Sequence, residues 1–100
     1  MIKFWHYMKP CTAYDPEHNT YIKTNGVTFA WEERKYDNNQ VFLESSIAYC
    51  SLKDQFARKV GRDISEGRLK KHKRIRKEML LNPSLKDILA ELKYLWELKT

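Results

Sequence analysis

The sequence predicts an α+β domain in which an antiparallel meander of three or four strands packs against C-terminal helices. Residues 1–50 alternate apolar and polar side chains between turn residues, which is typical of strands. Residues 51–100 repeat their apolar side chains every three or four positions, which is typical of amphipathic helices. With 100 residues, of which 42% are hydrophobic, the chain is long enough for a single domain, residues 1–100, with one modest core.

The strands are predicted from alternation and turn chemistry. Residues 2–8 form an aromatic-rich run that predicts a short first strand. The dipeptide Asn25-Gly26 lies between two alternating runs, and both residues tolerate the positive φ of a type I′ turn, so it predicts a hairpin. A second turn is predicted at residues 37–39, before the alternating run at residues 40–50.

The first helix is predicted to begin at Leu52. The Ser51 hydroxyl is placed to accept from the amide of Asp54, as in a capping box. Apolar residues then recur every four positions and are expected to dock on the sheet as one stripe, made of Phe56, Val60 and Ile64.

The rest of the second half predicts two more helical stretches. The chain after Gly67 is expected to be helical and largely exposed as far as the break at Asn82-Pro83. Ser84 and Asp87 form a second capping box, which predicts the last helix. Its apolar stripe is wide enough to require burial, either on the chain's own core or in a homodimer: Leu85, Ile88, Leu89, Leu92, Leu95 and Trp96.

Positive charge is concentrated in one segment. The stretch Lys53–Lys77 holds eleven of the 19 Lys and Arg residues and only three acids, a net charge of about +8 in a protein of net +6. Such a field attracts polyanions, so nucleic acid is the expected partner. The residues predicted to bind phosphates are Arg58, Lys59, Arg62, Arg68, Lys70, Lys71, Lys73, Arg74, Arg76 and Lys77.

The sequence favours RNA over DNA without fixing the choice. It lacks zinc-finger spacing, the aromatic ribonucleoprotein motif, a GxxG loop and heptads under a basic arm, so recognition is expected to be mainly electrostatic. Aromatic side chains on a small sheet suit unstacked RNA bases, although such side chains are more often core; the candidates are Trp5, Tyr7, Tyr21, Trp31 and Tyr36.

Catalysis is not expected. His6, His18 and His72 are far apart and have no metal-ligand spacing, so we predict neither an enzyme nor a cofactor, with a small nuclease as a remote alternative. Cys11 and Cys50 are expected to be reduced core thiols. The N-terminus has no signal-peptide core and no apolar run reaches a membrane span, so the sequence predicts a cytoplasmic protein without a membrane partner.

The segment Cys50–Arg62, with Glu66, Gly67, Arg68 and Leu69 after it, resembles part of small bacteriophage-encoded accessory proteins. In these proteins a strand ends in the pattern Cys-Ser-x-Lys-Asp-x-Phe-x-Arg-Lys-x-Gly-Arg and continues into a basic helix. The resemblance covers about twenty residues and implies a regulatory or counter-defence role in a host bacterial cytoplasm. The alternative function is a protein-binding inhibitor whose basic face covers a host enzyme or defence component, with or without a bridging RNA.

Overall fold

The computed structural model describes residues 1–35, 40–71, 73–79 and 83–100 and confirms the predicted α+β class. The elements in chain order are β1 (Lys3–Tyr7), β2 (Cys11–Asp15), β3 (Thr20–Thr24), β4 (Gly26–Lys35), β5 (Val41–Cys50), α1 (Arg58–Lys70), β6 (Ile75–Met79) and α2 (Leu85–Leu95).

The strands form two antiparallel sheets. The large sheet has the order β1-β4-β5-β6, and the small sheet is the hairpin of β2 and β3. Strands β4 and β5 pair along ten residues each, and β6 pairs only with the Val41–Ser45 part of β5. Lys99 makes an isolated bridge to Thr12, which adds the chain's last residues to the small sheet.

The predicted hairpin at Asn25-Gly26 is wrong. Strand β3 pairs with β2, whereas β4 pairs with β1 and β5, so Asn25 joins the two sheets instead of turning one strand back on another. Its amide donates to the Cys50 carbonyl at 3.0 Å. Gly26 has φ +154, and a Cβ there would lie 2.7 Å from the Tyr7 carbonyl oxygen, so this passage needs glycine.

The large sheet has two different faces. Its core side carries Phe29, Trp31, Leu43 and Ile47, which form one buried cluster with side chains of the small sheet and of α2. The opposite face is the helix side, because α1 lies across it next to Thr28 and Ser46.

Helix α2 agrees with the sequence prediction. Both hydrogen bonds of the capping box between Ser84 and Asp87 are present. Ile88, Leu92 and Trp96 are buried against the core side, and the Trp96 indole donates to Ser45 Oγ at 3.0 Å. These three residues of the stripe are therefore covered by the chain's own core, whereas Leu85 is 60% exposed.

Helix α1 begins at Arg58, six residues later than the prediction of Leu52. The side chain of Asn25 donates to the carbonyl oxygens of Leu52 and Asp54, both at 3.0 Å. A helix would use those carbonyls internally, so the segment from Ser51 is held as a loop by a residue that is distant in sequence.

The predicted docking stripe of α1 is also wrong. Val60 and Ile64 are 55% and 40% exposed, and α1 instead approaches the sheet through Gly61 and Ser65. The Ser46 hydroxyl donates to the Ser65 carbonyl at 2.5 Å, so small and polar side chains bring the two elements close together. Of the predicted stripe, Phe56 does contact the sheet, at Gly26 and His6, but it lies in the loop before α1.

The expected exposed helix between Arg68 and Lys77 is replaced in part by strand β6. Ile75, Lys77 and Met79 alternate on the core side, and this period of two matches the pleat of β5. Several predictions lie outside the described residues: those for Tyr36, for residues 37–39, for His72 and for Asn82.

Candidate nucleic-acid interface

Three predicted phosphate ligands lie together at the start of α1. Arg58 and Lys59 occupy the first turn, and Arg62 follows one turn later. The first turn contains no acid, and the N-cap residue Ala57 makes no side-chain cap hydrogen bond. Because the N-terminal end of a helix is electropositive, each cation there costs about 0.3–1 kcal/mol of stability. This end of α1 thus combines side-chain cations with helix amides that lack a side-chain cap.

Strand β1 borders this group on the helix side. Arg58 Nε donates to Met8 Sδ at 3.4 Å, and His6 Nδ1 lies 2.8 Å from Thr28 Oγ1. Burial, and then the positive charges of Arg58 and Arg62, hold the pKa of His6 below its ordinary value of 6.5. His6 is therefore an additional polar group beside the cations, and its neutral form is favoured.

The C-terminal end of α1 adds two exposed cations. Lys70 Nζ lies 3.6 Å from Glu66 Oε2 in an i,i+4 pair, and Lys71 follows the helix as its C-cap. Exposed pairs of this kind are worth about 0.3–0.5 kcal/mol, so Lys70 can exchange this partner for a phosphate at little cost.

A second group of cations surrounds a buried carboxylate farther along the same face. Glu44 on β5 is 1% exposed, and its oxygens lie 3.0, 3.4 and 3.8 Å from the Nε atoms of Arg34, Arg74 and Arg76. Arg34 is also paired with Glu32 at 2.6 Å. Glu44 therefore holds three guanidinium groups close together on the helix side.

The remaining predicted residues are placed elsewhere. Arg68 reaches the edge of β5, where it donates to the Ile47 carbonyl at 2.7 Å. Lys73 donates to Glu17 at 3.3 Å. Lys77 points to the core side, where it pairs with Glu91 and lies over the Tyr94 ring. The ten predicted residues therefore do not form one surface.

The aromatic candidates are not beside these cations. Trp31 is buried, Trp5 stacks on Phe29 on the core side, and Tyr21 is exposed on the small sheet. On the helix side, the Arg76 guanidinium lies 4.3 Å from the centre of the Phe42 ring. Sequence reasoning missed Arg34 and Phe42, since neither belongs to the basic segment.

One group of potential metal ligands converges in the described ranges. The ligand atoms of Asp15, Glu17 and His18 lie within 4.8 Å of one another. His18 Nδ1 is 2.6 Å from Asp15 Oδ2, and Lys73 already places a positive charge on Glu17. These contacts satisfy the group without an ion, and we assign no metal to it.

No protein-family model matches the chain, and no curated protein or solved structure matches it either. Neither α1 nor α2 has the length and apolar content of a membrane span, and the described ranges contain no other helix.

Proposed function

We propose that the protein binds nucleic acid without catalysing a reaction, RNA ahead of DNA, and that the first half of α1 is the main contact surface. The observation that carries this proposal is the gathering of Arg58, Lys59 and Arg62 at the uncapped, acid-free start of that helix. Cations at this end lower the stability of the free protein, whereas a bound phosphate is favoured by both the side chains and the helix amides.

The arginines around Glu44 extend the surface along the helix side. Arg34, Arg74 and Arg76 gather three positive charges around one carboxylate, so this part of the helix side keeps a net positive charge that attracts phosphates. Phe42, under the Arg76 guanidinium, adds an aromatic ring beside these cations, and base–aromatic stacking supports RNA, or another single strand, over duplex DNA.

The biological role belongs to the same proposal. The resemblance of the strand-to-helix segment to bacteriophage accessory proteins supports a regulatory or counter-defence role in a bacterial host. A surface that holds phosphates through side-chain cations suits a protein that blocks a nucleic acid more than one that reads a sequence.

The test compares two triple variants of equal charge. Arg58→Glu, Lys59→Glu and Arg62→Glu reverse the proposed surface, and Lys3→Glu, Lys23→Glu and Lys86→Glu reverse three exposed lysines outside α1. Anisotropy of a labelled single-stranded RNA is measured with increasing salt, with duplex DNA as competitor. If three phosphate contacts are lost, the slope of log affinity against log salt falls by about 2 in the first variant only.

Two results would contradict the proposal. Equal losses of affinity in both triple variants would show that net charge, and not this surface, attracts RNA. The absence of RNA and DNA binding at low salt in the wild-type protein would remove nucleic acid as the partner.

A second candidate function, binding to a host protein, is favoured by the exposure of Val60 and Ile64 on α1. Together with Phe56, Ala48 and Cys50, they border a groove of about 450 Å³. Apolar side chains next to cations are typical of a protein interface.

The salt dependence of binding distinguishes the two candidate functions. A protein complex formed through this groove would persist at high salt and would be lost in the double variant Val60→Ser with Ile64→Ser. We expect the same variant to keep RNA affinity within about two-fold, because it changes no charge.

A further inference from the structure

A cavity of about 740 Å³ lies where three parts of the chain meet, away from the first half of α1. It is bordered by the turn after β2, by the end of β5 that extends beyond β6, and by residues at and after the end of α1. The cavity exists because β6 pairs with β5 only as far as Ser45, which leaves Ile47 and Tyr49 without a neighbouring strand on that side. Its volume is within the range of small-molecule sites, about 300–1,000 Å³.

One wall of the cavity is cationic. It is formed by Arg68, Lys73 and Arg74, which are close in sequence at the end of α1 and in the following loop. Arg68 is held by the Ile47 carbonyl at 2.7 Å, and its guanidinium carbon lies 5.8 Å from the centre of the Tyr49 ring. Lys73 pairs with Glu17 at 3.3 Å, an exposed contact that it can exchange for a phosphate at little cost. The two guanidinium groups and this ammonium fit one phosphate group.

Arg74 is fixed in a similar way. Its Nη1 donates to the Leu69 carbonyl at 3.2 Å, and its Nε lies 3.4 Å from Glu44. A guanidinium has five N–H donors, so Arg68 and Arg74 keep donors that these contacts do not use. The site is thus built before any ligand arrives, which lowers the entropic cost of binding.

The opposite wall is anionic. Asp15 accepts from the Glu17 amide at 3.0 Å and lies 2.6 Å from His18 Nδ1. Partial burial acts to raise the pKa of Asp15, but these hydrogen bonds outweigh it and hold the pKa below its ordinary value. The Asp15 carboxylate is therefore a hydrogen-bond acceptor for N–H groups of a ligand.

Between the two walls the lining is apolar and partly aromatic. It consists of Ile22, Ile47, Tyr49 and Trp96. The Tyr49 hydroxyl donates to the Tyr14 carbonyl at 2.7 Å, and burial, followed by the charge of Asp15, raises the pKa of this phenol. The phenol is neutral at physiological pH, and its ring is a rigid surface for a flat group.

We infer that this cavity binds a nucleoside monophosphate, with the phosphate on Arg68, Lys73 and Arg74, the base on the apolar lining, and base N–H groups on Asp15. Among the common bases, guanine offers two adjacent N–H donors that one carboxylate can accept with both oxygens. The nucleotide has two possible sources, the free compound or the phosphorylated end of an RNA strand, and only the second rests on the proposed function.

Calorimetry with GMP tests the inference on the full chain. We expect a saturable isotherm, with an affinity at least about ten-fold higher for GMP than for guanosine, since guanosine lacks the charge that the cationic wall holds. The variant Lys73→Glu, at an exposed position, and the near-isosteric Asp15→Asn should each weaken GMP binding about ten-fold or more. The matched control Lys86→Glu, on α2 and outside the cavity, should leave the isotherm unchanged.

The source is resolved with two oligonucleotides of one sequence. A 5′-phosphorylated RNA that competes with GMP, when the 5′-hydroxyl RNA does not, places the end of a strand in the cavity. Competition by neither strand identifies the free nucleotide as the ligand.

Three results would overturn the inference: no heat with GMP up to the solubility limit, equal binding of guanosine and GMP, or unchanged GMP binding in both Lys73→Glu and Asp15→Asn. Circular dichroism of each variant excludes unfolding as the reason for a loss. If the protein binds GMP normally but does not bind RNA, the proposed interface is ruled out and the cavity site stands. If it binds RNA but not GMP, the cavity site is ruled out and the proposed interface stands.

Discussion

Gly61 marks the closest approach of α1 to the large sheet. A Cβ at this position would lie 2.9 Å from the Thr28 Cβ, and closer still to the Thr28 hydroxyl. We predict that Gly61→Ala costs about 1–3 kcal/mol of unfolding free energy, because either the helix or the strand must move. For a domain of this size, about 4–8 °C of melting temperature corresponds to each kcal/mol, so a thermal melt detects the change.

Gly67 is the matched control for that substitution. It lies on the same helix, and a Cβ there would meet nothing within 4 Å. Gly67→Ala should stabilise the protein by up to about 1 kcal/mol, the difference in helix propensity. If both alanine variants were stabilised, the contact between α1 and Thr28 would not be close in solution.

His6 reports on the electrostatics of the proposed interface. Its pKa is below the ordinary value of 6.5 in the folded protein, so the unfolded chain binds a proton first as the pH falls. The contribution of His6 to stability is therefore present above pH 6.5 and is lost as the pH falls through the folded pKa. Denaturant unfolding across this range should show a fall in stability that His6→Gln reduces.

Nucleic acid should change this titration. A phosphate placed beside Arg58 and Arg62 would offset the charges that help to lower the pKa of His6. NMR titration of the His6 ring should show an upward shift of the pKa when RNA is bound. An unchanged pKa in a saturated complex would show that the strand does not pass over this end of α1.

At the scale of elements, replacement of a lysine by glutamate is predicted to change stability in opposite directions at the two ends of α1. Lys59→Glu places an acid in the first turn and should stabilise the protein by about 0.5 kcal/mol, whereas Lys70→Glu places one in the last turn and should destabilise it by a similar amount. Loss of the Glu66 pair adds to the second effect. Melts at low salt measure both.

At Lys59, RNA affinity and stability should change in opposite directions. Lys59→Glu is expected to weaken RNA binding while it raises the melting temperature. A more stable variant with unchanged RNA affinity would mean that Lys59 is not at the interface.

Elements with local signals were predictable from the sequence. Helix α2 is an example, since its capping box at Ser84 and its apolar stripe both lie within the element. The start of α1 was not predictable, because Asn25 holds the loop before it from another part of the chain. The hairpin prediction was wrong at the same residue, because Asn25-Gly26 has the residue types of a tight turn but connects two sheets.

For the candidate interface, the sequence could indicate which residues carry positive charge but not how they are arranged. Arg58, Lys59 and Arg62 lie near each other at the start of α1, but β6 turns Lys77 to the opposite face of the sheet. Strand β6 was not predicted because Lys77, on the core side between Ile75 and Met79, interrupts the apolar alternation. The cavity could not be read from sequence at all, because its walls come from segments that only the fold brings together.

At the scale of the whole molecule, the residues after α2 stabilise the small sheet. Lys99 and Thr12 exchange two backbone hydrogen bonds of 2.8 and 2.9 Å, and Tyr21 donates to Glu97 at 2.8 Å. Removal of residues 97–100 should cost about 1–3 kcal/mol and speed amide exchange in β2 while β5 stays protected. Removal of Thr100 alone is the control, and unchanged exchange in β2 would contradict this role.

The position of α2 has a consequence for protein synthesis. The core side of the large sheet, with Phe29, Trp31, Leu43 and Ile47, is covered by Ile88, Leu92 and Trp96, which the ribosome makes after all six strands. A nascent chain that has completed β1 to β6 therefore displays an aromatic sheet face until α2 has emerged, and such a surface is prone to aggregate. The yield of recombinant protein should consequently rise when chaperones that shield nascent chains are co-expressed.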